Sequence, residues 1–437
     1  MDGAIPSISL RDNLIFNLGY LVPQGLQGSF TRNRFWVMVL SRLHPDPAAV
    51  RFVDGLRARY QSDYLWIRML ATKTLLVLDP AGVERVLEQS PYLYADGKPK
   101  RDGMRVFQPH AVTISRGEQW HDRRRFNESV LASGQPVHPN GDAILATIRE
   151  EVAALSESRR THWLWEDLDL LFGRIMRRVV FGSSARDDLD LTDLLRRLMQ
   201  QANRPIKPKR SAQLAPFYGR ITRYVNQGEH GSLVARFSQA PKSPSTDPAG
   251  QVPHWMFAMW ETLAANTARA LAAILAHPEH EARVRQELAG ADLATPGGIV
   301  GLNYLGQCVQ EAMRLWPTTP MLVRETVAGD ALGGEWIPSG TQVLIWNSFN
   351  HRDRRRDPDA DAFRPERWAH GRPSPLYNHL SSGPQVCAGV DLVLFISRAV
   401  IATILRDHHD VLVQPRLDPE HPLPSAFDHF SFEMAVP

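Results

Sequence analysis

The chain of 437 residues contains only two cysteines, Cys308 and Cys387, too few for a disulfide framework, and no four-ligand Cys/His zinc cluster surrounds them. Scarce cysteine points to a reducing compartment. Charge of one sign is equally scarce: 50 Lys+Arg stand against 47 Asp+Glu, and a net +3 is no electrostatic footprint for nucleic acid. Long hydrophobic runs are missing too. The stretch Leu14 to Val22 is interrupted by Asn17 and Gly19 and lacks a small-residue cleavage site, so it does not read as a signal peptide. Phe35 to Leu40 falls far short of the roughly 20 apolar residues a spanning helix needs. The expectation is a cytoplasmic, monomeric protein with no membrane span. Its 43% apolar and 22% charged residues suffice for a large buried core.

The apolar spacing is mostly helical, as in Ile144 to Leu155, Leu189 to Met199, Glu279 to Leu288 and Leu302 to Leu315. Strand patterns are few: Tyr64 to Leu70, Thr72 to Leu78, Met321 to Val323 and Gln342 to Ile345. The fold class is mainly α with a small β region. A Pro/Ser/Gly-rich stretch, Ser238 to Pro253, reads as a loop before a long helix.

That helix, His254 to Ala276, is apolar almost all the way round, the pattern of an element buried in a large protein. Glu261 and Thr262 interrupt it. A carboxyl and a hydroxyl in such a helix need either partners or a chemical role.

Near the C-terminus, Leu380 to Gly389 reads L-S-S-G-P-Q-V-C-A-G before an apolar periodic helix, Val390 to Leu405. Glycines on both sides of Cys387 allow close approach by a flat ligand, and a helix start favours thiolate over thiol. On this loop alone two readings stand, a metal-bound sulfur and a small buried hydrophobe.

Taken in order with the segments that follow, the loop resembles that of the soluble, bacterial-type cytochrome P-450 superfamily of haem-thiolate monooxygenases. Its form F-x-x-G-x-R/H-x-C-x-G matches at Gly383, Cys387 and Gly389, while Leu380 replaces the aromatic and Gln385 the basic residue. Glu311-Ala-Met-Arg314 matches E-x-x-R, which alone would be no more than a surface ion pair, and Phe363 to Trp368 resembles the P-E-R-F segment that adds Arg367 to a structural triad. Trp120 to Arg124 matches W-x-x-x-R, Arg324 fits a further propionate position, and Ala258 to Thr262 aligns with A/G-G-x-D/E-T, with Met259 at the usual glycine.

The resemblance implies a triangular prism-like helical domain enclosing haem, matched over 43–437, with 1–42 as an N-terminal extension of a single domain. It implies haem b (iron protoporphyrin IX), with Cys387 as metal ligand and Trp120, Arg124, Ala258, Arg324, Gly383, Gln385 and Gly389 around the cofactor. A thiolate ligand favours O–O heterolysis, and Glu261 and Thr262 take catalytic roles in proton delivery. The implied reaction inserts one atom of O2 into a small lipophilic substrate, with electrons from ferredoxin and ferredoxin reductase. A peroxide-dependent hydroxylase or decarboxylase of the same fold, and a non-catalytic haem sensor or carrier, are the alternatives. Substrate-lining segments are expected at 103–111, 198–224, 258–262, 318–322 and 430–432. Arg123, Arg125, Arg352, Arg354 and Arg398 are grouped as a basic docking face.

Overall fold

The computed structural model describes residues 4–43, 47–158, 161–407 and 410–435. The strands are β1 Tyr64–Met69, β2 Thr72–Val77, β3 Tyr94–Asp96, β4 His162–Leu164, β5 Leu322–Thr326, β6 Asp330–Leu332, β7 Glu335–Ile337, β8 Gln342–Ile345, β9 Val411–Gln414 and β10 Glu433–Ala435. The larger sheet has the order β1-β2-β8-β5-β3, and β4-β10-β9 and β6-β7 form two small ones. In the larger sheet β3 pairs antiparallel with β5, placing Asp96 opposite Arg324. That register makes a buried ion pair, Arg324 Nη1 to Asp96 Oδ1 at 2.7 Å.

Helices carry the main core. Ile144, Ile148, Val152 and Leu155, on the buried face of Gly141–Ser158, enter the same apolar cluster as Phe172, Ile175 and Val179 of Trp165–Phe181. Cys308 lies fully buried on Asn303–Leu315, where burial pushes its thiol up and keeps it protonated.

The long central helix departs from its sequence pattern in two ways. It starts at Pro248, inside the stretch expected to be loop, because Asp247 caps it by accepting from the Gly250 amide. It is also not continuous: Pro248–Phe257 and Leu263–Ala276 flank a wide turn at Ala258–Thr262, where Trp260 leaves helical geometry with φ −99° and ψ −107°. Trp260 is held out by an Nε1 hydrogen bond to Asp169 O at 3.1 Å and by Arg196, 4.4 Å over its ring. One extra residue in a turn rotates everything beyond it, and such bulges recur at functional sites.

The N-terminal residues fold onto this body. Ser7 bridges to Trp66, Asn203 Oδ1 accepts from the amides of Ser29 and Phe30, and Arg32 donates to Thr318 O at 3.0 Å. No described helix is long and apolar enough to cross a membrane.

Candidate functional site

The loop before Val390–Asp407 is shaped from below. Gly383 sits at φ +63°, and a Cβ there would lie 2.5 Å from Leu87 O, so glycine is required by backbone contact with the neighbouring turn. The Cys387 amide donates to Leu380 O at 2.9 Å, closing the loop, and Arg124 Nη1 donates to Val386 O at 2.6 Å from the side. Gly389 differs from Gly383: a Cβ there would meet only Leu131 at 3.7 Å, leaving an open face above it. Burial pushes the Cys387 thiol up, and the Gly389 amide pulls it partly back. A buried sulfur in this balance becomes a thiolate when a cation sits on it.

Cys387 faces a cavity of about 300 Å³. On the other side of that cavity lie Ala258, Met259, Thr262, Leu263 and Asn266, from the bulge and the turn after it. Trp120, Arg124, Arg324, Gln385 and Gly389 also line it. Gly383 supports the loop from behind and is outside the lining.

Arg324 is spoken for by Asp96, which Lys100 also approaches at 2.8 Å. Burial works against the Asp96 carboxylate, but Lys100 and Arg324 outweigh it and hold its pKa below the ordinary range. Arg124 is shared between Glu128 and the Val386 carbonyl. Both guanidiniums therefore meet the cavity already oriented.

Glu261 is a correction to the sequence reading in position. It does not line the cavity; its carboxylate accepts from Thr31 Oγ1 at 2.7 Å and pairs with Arg196 at 3.2 Å. The bulge turns it toward the far side of the helix from Thr262, and burial raises its pKa. Of the expected lining segments, 258–262 and 318–322 contribute, while 103–111, 198–224 and 430–432 do not. Phe30 accounts for part of this: it packs edge-on to Phe107, which in turn meets Phe257, and its ring occupies the space beside Gly103. The N-terminal segment thus stands between those loops and the cavity.

Sequence reasoning missed His254, Asn266 and His379, which also line the cavity. Burial drops His254 to about 4 and His379 to about 3, so both are neutral. A histidine directly after Asn378 and three residues before Ser382 carries no spacing signal; only the fold turns the His379 ring inward.

Glu311, Arg314 and Arg367 come together with no exposure at the first two. Arg314 donates to both oxygens of Glu311, at 2.7 and 2.8 Å, and Trp368 Nε1 donates to Oε2, the oxygen that Arg314 Nε also meets, at 2.8 Å. Arg314 also donates to His351 O, and the neutral His351 ring accepts from the Asn378 amide at 3.3 Å. A chain of bonds thereby runs from the triad to the residues entering the cysteine loop.

The grouped docking arginines do not form one face. Arg123 and Arg352 are buried, tied to Ser115 and to Asp361 and Leu423, and Arg398 lies against Gly306. Arg125 and Arg354 remain outward, with side chains 69% and 45% exposed.

The residues fit a haem. Buried polar atoms without partners cluster around the cavity, at Gln385 Oε1, His379 Nδ1, Ser381 Oγ, Asn347 Oδ1 and Asn378 Oδ1. Among the described residues no group of three or more His, Cys, Asp or Glu side chains could hold a bare metal ion. A single thiol therefore suits a metal that brings its own equatorial ligands.

Comparison with known proteins agrees with this geometry. The family model described as Cytochrome P450 matches residues 232–431. Cytochrome P450 4c3 of Drosophila melanogaster is 32% identical over 178 residues, 38% of this chain and 33% of that protein. The aligned part thus spans about a third of the length of the first such curated relatives. Cyclooctat-9-en-7-ol 5-monooxygenase of Streptomyces melanosporofaciens is 24% identical over 394 residues, 81% of this chain and 83% of that one. The solved structure of cyanobacterial CYP120A1 with retinoic acid bound superposes with a TM-score of 0.72 at 16% identity, over 88% of this chain and 94% of that one, and so shares the fold. With the cysteine loop, the bulged helix and the buried triad assembled around one cavity, residues 232–431 belong to the cytochrome P450 family, and the chain as a whole shares the fold of a solved member.

Proposed function

We propose that the protein is a haem-thiolate monooxygenase that inserts one oxygen atom of O2 into a lipophilic substrate, with haem b as cofactor and Cys387 as its thiolate ligand. The observation that carries this reading is the placement of one buried thiol across a cavity from a bulged helix that presents Thr262. The haem, once bound, supplies the activation of dioxygen. The chain's own part is to hold it and to manage protons and substrate.

Arg124 and Arg324, which line the cavity together with Trp120 and Gln385, would hold the propionates, with the neutral Gln385 amide standing where the family has a base. Thr262 lines the cavity, and its hydroxyl would supply a proton donor there. Glu261, one residue earlier, reaches Arg196, whose side chain is 35% exposed. The pair links the buried helix to solvent, and rotation of the raised Glu261 carboxyl past the bulge would carry a proton toward Thr262. Apolar lining by Leu263, Met313, Leu322 and Leu392 suits a lipophile. The names of the cyclooctat-9-en-7-ol monooxygenase and of the retinoic acid complex support that class. Electrons would come from a ferredoxin and its reductase.

The test is turnover under isotopically labelled dioxygen with ferredoxin, reductase and a lipophile library. The expected product carries one labelled atom. Label-free product, or product formed only when hydrogen peroxide is added, would contradict the reading and favour the peroxide-dependent alternative.

A further inference from the structure

A second cavity, of about 160 Å³, lies on the other side of the chain segment that borders the first. The boundary is one chain thick: Thr318, Thr319 and Leu322 face the first cavity, and Pro317, Pro320 and Met321 face the second. The bulged helix is shared in the same way, with Asn266 in the first and Arg269 in the second. Arg269 Nη1 donates to Asn266 Oδ1 at 3.3 Å and to Trp316 O at 2.8 Å, so the two cavities meet at a hydrogen bond.

The second cavity has an unusual charge balance. Arg269, 7% exposed, and Arg32 both line it, as does His429, 3% exposed. Among the described residues no carboxylate does. Arg269 Nε and His429 Nδ1 are buried without partners. Burial, then the neighbouring Arg32, lowers the Arg269 pKa to about 9, and burial lowers Arg32 to about 10 against the pull of Glu261. That glutamate is already bonded to Thr31 and Arg196. Two guanidiniums facing one space that no carboxylate lines, one of them buried with a spare N–H, are half of an ion pair. The missing half is an anion, and arginine forks favour the planar carboxylate. The remaining lining is mixed, with Gln24, Gln27 and Ser41 beside Tyr20, Val37, Leu40, Trp316 and Phe427, and the volume matches a carboxylate with a few carbons, near that of a cavity that takes a benzene ring.

We propose that this cavity is a carboxylate-binding site, in which Arg32 and Arg269 hold the acid head group of a lipophile whose tail enters the cavity over Cys387 by parting the Arg269–Asn266 hydrogen bond at which the two cavities meet. This deepens the proposed function by naming its substrate class, amphipathic carboxylic acids, and rests on that reading for what happens to the tail.

The test is calorimetric binding to the haem-loaded protein of dodecanoate, its methyl ester and propionate, to the native chain and to Arg269→Gln and Arg32→Gln. Calorimetry needs no turnover, so acid binding without oxidation would overturn the monooxygenase reading and leave this site standing. The acid is expected to bind about tenfold or more tighter than the ester, since charge-assisted bonds to both guanidiniums are lost on esterification. That ratio should fall toward one in each variant, and propionate should compete with dodecanoate. If Arg269→Gln fails to fold, Arg32→Gln carries the same ratio. Equal affinity for acid and ester in the native chain, an undiminished ratio in a folded variant, or propionate and dodecanoate binding together would overturn the proposal.

Discussion

At the scale of single residues, the proposed chemistry divides between Cys387 and the two positions of the bulge. Thr262 faces the cavity while Glu261 faces Arg196, so the two side chains have separable tasks. Replacing Thr262 by Ala removes the hydroxyl over the cavity and leaves the helix intact. Reductant consumption should continue while hydrogen peroxide accumulates, with product per electron pair falling by roughly tenfold or more. Unchanged coupling, measured as product against NAD(P)H consumed, would remove Thr262 from proton delivery. Glu261→Gln keeps an acceptor for Thr31 but no ionisable proton; it should slow turnover and enlarge its solvent isotope effect, read by rates in light and heavy water.

At the scale of elements, the Glu311–Arg314–Arg367 cluster ties the Asn303–Leu315 helix to the segments before the cysteine loop. Burial opposes the Glu311 charge, yet Arg314, Arg367 and the Trp368 indole outweigh it and hold its pKa below 4.5. Because the folded value is the lower one, this stabilisation is complete above the ordinary carboxylate value and is lost as pH falls through the folded value. The urea midpoint should therefore hold down to about pH 5 and fall progressively below it. Glu311→Gln leaves Arg314 buried without a counter-charge and should cost about 3–5 kcal/mol, read from the same urea curves. A variant as stable as the parent would contradict the bracing role.

These elements also mark what was legible in the sequence. The helix periods and the β1, β2 and β8 patterns were visible because one face of each is buried. The order of Glu311, Cys387 and their neighbours pointed to one family because several weak motifs fell in sequence. The bulge was not legible: no residue type announces that Trp260 will be held outside the helix by Asp169 O and Arg196, contacts from other elements. For the same reason Glu261 looked like a neighbour of Thr262 in the cavity. Buried arginines were misread too, since a guanidinium bonded to carbonyls, as at Arg123 and Arg352, has the same sequence appearance as a surface charge.

At the scale of the whole molecule, the haem cavity lies between the sheet-side residues Arg324 and Asn347 and the helical core, and the N-terminal segment closes the side near Phe107 and Glu261. On the proposed function, electrons enter on the cysteine side, where Arg124 donates to Val386 O and its neighbour Arg125 points outward. Arg125→Glu should raise the KM for an acidic ferredoxin several-fold at low salt and leave kcat alone, with the difference shrinking as salt is added. A salt-insensitive, unchanged KM would move the docking face elsewhere.

The central claim is that the Cys387 sulfur is the ligand to a haem in this cavity. The most direct measurement is the absorption spectrum of the reduced, carbon-monoxide-treated protein, native and Cys387→His. The native protein should show the strongly red-shifted Soret band of a thiolate-ligated haem, and Cys387→His should lose it while still binding haem. A native protein without that band, or a variant that keeps it, would contradict the account.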